Sequence, residues 1–149
     1  YEVWVKALLQ RVSQASVSIE GTQVAQIAGG LLVLVAVEPD DTQQSVEKML
    51  HKLLNYRVFA DEQGRMNTSL TDTQGGLLLV SQFTLAADTR SGLRPGFSTA
   101  ATPEKAEALF KQLVSLAQQR HPDVQTGQFG ADMQVQLIND GPVTFMLEV

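Results

Sequence analysis

The chain of 149 residues has no cysteine, which removes disulfides, thiolate metal sites and a thiol nucleophile together. That composition suits a reducing, cytoplasmic setting. Histidine is nearly as scarce, with only His51 and His121. No His, Asp and Glu spacing has the form of a transition-metal site, so neither a metal nor a cofactor is expected. A Ser-His-Asp arrangement would have to use one of these two residues. His51 falls beside the apolar face of a helix pattern and His121 precedes a proline at a helix end; neither has an acid partner nearby in sequence. Positive charge is also in short supply: 11 Lys and Arg face 16 Asp and Glu, for a net charge of -5. This counts against a partner gripped mainly through phosphates. A nucleic acid would be met locally, at one basic pocket or at a few bases of an end. No apolar run reaches transmembrane length and no signal peptide is visible, so no membrane partner is expected.

What is present describes a folded chain. Hydrophobic residues make up 44% and charged residues 18%, a balance that supports a buried core at this length. With no linker and no repeat, residues 1–149 read as a single domain. Tyr1-Glu2-Val3-Trp4 precede Val5-Lys6-Ala7-Leu8-Leu9, which reads like a natural start, so residues 1–4 are taken as an N-terminal extension.

Lys6 to Val12 is apolar enough for a buried strand, and Ala15 to Ile19 alternates as a half-buried one. Gly21 marks a turn from which Gln23 to Ile27 can return as a hairpin partner. Leu31 to Val37 and Leu77 to Gln82 are continuous apolar runs of the kind found in central strands. Between them Val46, Met49, Leu50, Leu53 and Leu54 share one helical face, with Asp40 or Asp41 as cap. Thr102 and Pro103 open a second helix whose face is Ala106, Leu109, Phe110, Leu113, Val114 and Ala117. Met133, Val135 and Leu137 alternate in a late strand, and Asn139 to Pro142 reads as the turn into a last strand from Val143. The expectation is an α+β fold: a largely antiparallel, barrel-like sheet with two amphipathic helices.

Four segments can carry chemistry. Ser81-Gln82-Phe83-Thr84-Leu85 ends a buried strand and enters a long loop without period. There Thr84 can be a nucleophile, position a substrate, or simply cap a turn. In Asn139-Asp140-Gly141-Pro142-Val143-Thr144-Phe145, a cis bond before Pro142 would aim rigid carbonyls outward; pattern alone equally allows an ordinary hairpin. Small residues around Phe129 leave its ring open to stack on a base, or place it as a core residue at a strand start. Arg90 and Arg94 lie on a loop where they can meet phosphates or merely solvent. Arg11, inside an apolar strand, needs partners, because an unpaired buried charge is very costly. It is a structural pair or a clamp for backbone.

Ser81 to Leu85 followed by Ala86-Ala87, together with Asn139 to Phe145, resembles the two signature motifs of the D-aminoacyl-tRNA deacylases. Leu9-Gln10-Arg11-Val12, Tyr56-Arg57-Val58-Phe59, Met66-Asn67, Gly92-Leu93-Arg94-Pro95 and Gly127-Gln128-Phe129 with Ala131-Asp132-Met133 are similar to that family in the same order. Gly96 and Gly130 depart from it, standing where Ser and Ala are frequent. The resemblance implies hydrolysis of D-aminoacyl-tRNA, with glycyl-tRNA(Ala) as a further substrate, by a cofactor-free homodimer with its sites at the interface. It implies a cis Gly141-Pro142 bond that reaches the partner's site and rejects L-amino acids, with Arg11 as its brace. Ser81, Phe129, Met133 and Arg94 would meet the terminal adenosine and the tRNA, and Gln82, Phe83 and Thr84 the reacting ester. Amides near Phe83 and Thr84 would stabilise the oxyanion, and the 2′-hydroxyl of the adenosine would help activate water, since Thr84 has no evident base. The alternative of another class is a non-catalytic dimer that binds the tRNA end or another nucleic acid.

Overall fold

The computed structural model describes residues 4–149. Of the expected extension, residues 1–4, the first three lie outside the described residues; Trp4 is half-buried ahead of the first strand. The described strands are β1 (Lys6–Ile19), β2 (Thr22–Ile27), β3 (Gly30–Ala36), β4 (Phe59–Ala60), β5 (Met66–Thr68), β6 (Gly76–Ser81), β7 (Val124–Thr126) and β8 (Gln134–Glu148). The helices are α1 (Gln43–Asn55), α2 (Leu70–Thr73) and α3 (Pro103–Arg120), with a single 3-10 turn at Phe83–Ala86.

β1 organises the sheet. β8 pairs antiparallel along one of its edges, while β3 and β2 divide the other. β2 folds back against β6 and β7, so the sheet curls into a nearly closed barrel. The half built on β1 is antiparallel, as expected. The half β3-β6-β7 is parallel, which the sequence reading missed. The cause lies in the helices: α1 between β3 and β6, and α3 between β6 and β7, return the chain to the same end before each new strand.

The apolar runs of β3 and β6 are buried on both faces. Leu31, Val33, Leu77 and Leu79 pack with Met49, Leu50 and Leu53 of α1 and Leu109 and Leu113 of α3. Leu32, Leu78 and Val80 point the other way and fill the barrel with Val12, Val17 and Ile27. This is why neither strand alternates. Space is tight where β3 and β6 begin side by side: a Cβ on Gly30 would lie 2.0 Å from the Gly76 carbonyl oxygen, and one on Gly76 2.7 Å from that of Ile27.

Several local expectations are corrected. The two strands read at Lys6 to Val12 and Ala15 to Ile19 are one 14-residue strand: Gln14 pairs with Ile138 of β8, and the register shift between Val12 and Gln14 takes up Ser13. A third helix, the short α2, adds to the two expected. Ser69 caps it and exchanges hydrogen bonds with Asp72. Thr42, not Asp40 or Asp41, caps α1. Asp41 is instead buried, and its carboxylate accepts from the amides of Val5 (2.9 Å) and Glu38 (2.7 Å). The faces read for both long helices are the packed ones, and Thr102 and Pro103 begin α3 as expected. No described helix is long and apolar enough to cross a membrane.

Candidate active site

The carboxyl ends of the three parallel strands meet in one cleft of about 480 Å³. Residues 35–37 follow from β3, Ser81, Gln82 and Phe83 from β6, and Phe129 to Ala131 from the loop after β7. Ligands favour this end of parallel strands, where chain reversals leave a crevice. The size suits a small molecule or one nucleoside. The lining residues carry no formal charge.

Local structure explains how the polar groups arrive there. Gln82 still pairs with the neighbouring strand, its amide donating to the Val35 carbonyl (2.8 Å), before its backbone leaves the strand conformation and the 3-10 turn begins. The turn closes through the Leu85 amide onto the Gln82 carbonyl (3.2 Å), which leaves the amides of Phe83 and Thr84 outside its own hydrogen bonding. Gln82 Nε2 donates to Thr84 Oγ1. The Phe83 ring is 61% exposed at the mouth.

Phe129 is half-buried, its ring 6.4 Å from that of Phe110, so it is both packed and open on one side. Gly130 beside it has φ +77°, a conformation that favours glycine. Met133 closes the same wall. Of the ten residues singled out from the sequence, Ser81, Gln82, Phe83, Phe129 and Met133 therefore line one cleft. Thr84 touches this group through Gln82. Arg94 is exposed on the loop after the 3-10 turn and is not part of the lining. Sequence reasoning missed the opposite wall, Ala100, Ala101, Pro103, Ala106 and Phe110. Its signal was the small residues around Pro103, which were read only as a helix start.

Arg11, Gly141 and Pro142 form a second locus. The expected hairpin turn at Asn139 to Pro142 does not exist: β8 runs through it. Val12 pairs with Asn139 and Gln10 with Thr144, so residues 140–143 bulge out opposite Arg11. Asn139 ties the bulge shut, accepting from the Val143 amide and donating to Thr144 Oγ1, both at 2.7 Å. Arg11 donates through Nε to the Asp140 carbonyl (2.9 Å) and through Nη1 to the Val58 carbonyl (2.8 Å). Both readings open for Arg11 find a contact: it holds these two carbonyls, and its Nε also lies 3.9 Å from the Asp140 carboxylate. The Gly141-Pro142 bond is cis, and both residues are exposed and lie outside the cleft of their own chain.

A second groove of about 470 Å³ shares Ala86 with the cleft but differs in charge. Glu38, Asp40 and Asp88 line it with Lys6 and Arg90. Burial pushes the Glu38 carboxyl above its ordinary range, opposed in part by Lys6 at 3.7 Å. Hydrogen bonds from Arg90 hold Asp88 below its own. His121 is buried against the Gly75 carbonyl (2.6 Å), away from both pockets. Among the described residues no three His, Asp or Glu side chains gather as a metal ion would need.

The family model described as D-Tyr-tRNA(Tyr) deacylase matches residues 8–148. A D-aminoacyl-tRNA deacylase of Ectopseudomonas mendocina is 66% identical over 145 residues, covering 97% of this chain and 100% of the relative. One of Pseudomonas paraeruginosa is 67% identical over 144 residues, covering 97% and 99%. A solved structure described as a c-Myc DNA unwinding element binding protein superposes with a TM-score of 0.92 at 41% identity, covering 97% of this chain and 98% of that one. A probable eukaryotic D-amino acid tRNA deacylase gives a TM-score of 0.83 at 17% identity, covering 97% and 99%, which speaks for the fold alone.

Proposed function

The chain belongs to the D-Tyr-tRNA(Tyr) deacylase family, and from that premise we propose that it hydrolyses the ester joining a D-amino acid to the terminal adenosine of tRNA, in the cytoplasm where charged tRNA is found. The uncharged cleft at the ends of the parallel strands carries this reading, since it offers a nucleoside an aromatic wall, small residues and a few polar groups at its mouth. Phe129, Met133 and Ser81 hold the adenosine there. Arg94, on the neighbouring loop, meets a phosphate.

The ester carbonyl sits over Gln82, Phe83 and Thr84. Water adds to the carbonyl carbon, the amides of Phe83 and Thr84 donate to the oxyanion, and the bond to the adenosine oxygen breaks with a proton returned to it. The hydroxyl of Thr84 is a poor attacker on chemical grounds: its neighbour Gln82 is an amide, and an amide cannot remove its proton. The 2′-hydroxyl of the adenosine supplies the missing assistance to water.

Selection against L-amino acids is assigned to Gly141 and Pro142 of a second copy, with Arg11 as their brace. Their distance from the cleft of their own chain favours an arrangement in which each copy completes the other's site. β8 supports such pairing: among the described residues its second edge has no strand partner, and it exposes Ile138 and Met146. A screen of this type rejects a side chain on one face of the α-carbon, so glycine passes, which makes glycyl-tRNA(Ala) a second substrate.

Incubation with D-tyrosyl-tRNA and L-tyrosyl-tRNA tests the whole reading. Release of tyrosine from the D form alone is expected; equal release from both sinks the chirality assignment, and release from neither sinks the activity. A non-catalytic nucleic-acid binding dimer is the second reading, favoured by the description of the structural neighbour at 41% identity. The net charge of -5 weighs against it.

A further inference from the structure

We propose that Phe83 and Phe97 form a stacking platform for the base of the penultimate nucleotide of tRNA, outside the cleft that takes the terminal adenosine. This rests on the deacylase reading above and extends it by one nucleotide.

The two rings lie 5.2 Å apart at 50° to one another. Phe83 is 61% exposed and Phe97 38%. An aromatic pair this open to water gains little from its own contact, so its solvent-facing sides are the feature to explain. Its position is set by backbone on both sides. The Asp88 and Gly96 amides donate to each other's carbonyls at 2.8 and 3.0 Å, which folds the loop into a small ladder ending one residue before Phe97. The Phe97 carbonyl then accepts from the Ala100 amide at 3.0 Å. A preformed surface costs little ordering entropy when a ligand settles on it.

Continuity with the cleft points to the occupant. Phe83 and Ala100 both line the cleft, and Phe97 stands beside them. A strand whose last base is buried there, and which leaves past Phe83, meets the Phe97 ring next. The other way out is the groove that shares Ala86, where three carboxylates face two cations. That charge repels a phosphodiester and directs the strand over the aromatic pair. Stacking on a ring reads the π-face common to all bases rather than their edges, which suits an enzyme that accepts many tRNAs.

The test compares D-tyrosyl-adenosine with the D-tyrosyl dinucleotide that carries one further cytidine. For the wild-type chain the dinucleotide is expected to be the better substrate by about tenfold in kcat/KM, mostly through KM. Phe97→Ala should bring that ratio close to one, while Phe97→Tyr, which keeps the ring, should preserve it. The proposal is overturned if the ratio stays high in Phe97→Ala, if the wild type shows no gain from the second nucleotide, or if the loss follows the amino acid, appearing with D-tyrosyl but not D-alanyl esters. Hydrolysis of D-tyrosyl-adenosine by the wild type reads the underlying activity separately, and its absence overturns both.

Discussion

Arg11 reaches across β1 to the bulge of β8 and donates through Nε to the Asp140 carbonyl at 2.9 Å. The same guanidinium holds the Val58 carbonyl through Nη1 at 2.8 Å, so one planar group joins the bulge to the segment that precedes β4. Lysine cannot span two carbonyls in this way, because its ammonium is a single point on a flexible stem.

Arg11→Lys is therefore expected to loosen the bulge while keeping the charge. Hydrogen bonds from charged donors contribute about 1.5–3 kcal/mol each, so losing one should raise L-tyrosyl relative to D-tyrosyl hydrolysis by about tenfold. Initial rates on the two charged tRNAs measure this. An unchanged ratio would show that selection does not depend on the brace.

Thr84→Ala separates the two mechanisms. Removing a true nucleophile costs a factor of about 10⁴ or more, as in hydrolases with an activated serine. If Thr84 only positions the ester beside Gln82, single-turnover hydrolysis should fall by less than about tenfold. A loss at the larger scale would restore Thr84 as the attacking group.

Asp41→Ala should be among the most destabilising changes outside the apolar core. It leaves the amides of Val5 and Glu38 without their acceptor at a buried position. Each unsatisfied donor costs about 1–3 kcal/mol. Thermal unfolding should shift down by about 10 °C, since 1 kcal/mol moves a chain of this size by several degrees. A shift within error would mean that water reaches both amides.

Glu38 gives a prediction with a definite sign. Burial raises its folded-state value, so the folded chain holds this proton more tightly than the unfolded one. The associated stability is present below the ordinary carboxylate value and is lost as pH rises through the raised one. Glu38→Gln mimics the protonated form at every pH. Its melting temperature should gain on the wild type as pH rises from about 4 to 7. Asp61, Asp72 and Asp88 are held low and act in the opposite direction, but they are common to both proteins and cancel in the difference. A difference independent of pH would count against the raised value.

What the sequence determined by itself is what periodicity and end signals encode locally. The faces of α1 and α3, the Thr102-Pro103 start, the doubly buried runs of β3 and β6 and the strand-end position of Ser81 to Thr84 all follow from neighbours within a few residues. The tertiary structure alone decided what depends on distant partners. Asp41 left its expected cap because Val5 offered a buried amide. The apparent turn at Asn139 to Pro142 became a bulge because β1 continues beside it, and the parallel half of the sheet arose from where α1 and α3 return the chain. Arg11 and Asp140 are 129 positions apart, and no local pattern specifies which distant backbone a half-buried guanidinium will hold; that is set by which strands pair, and in what register.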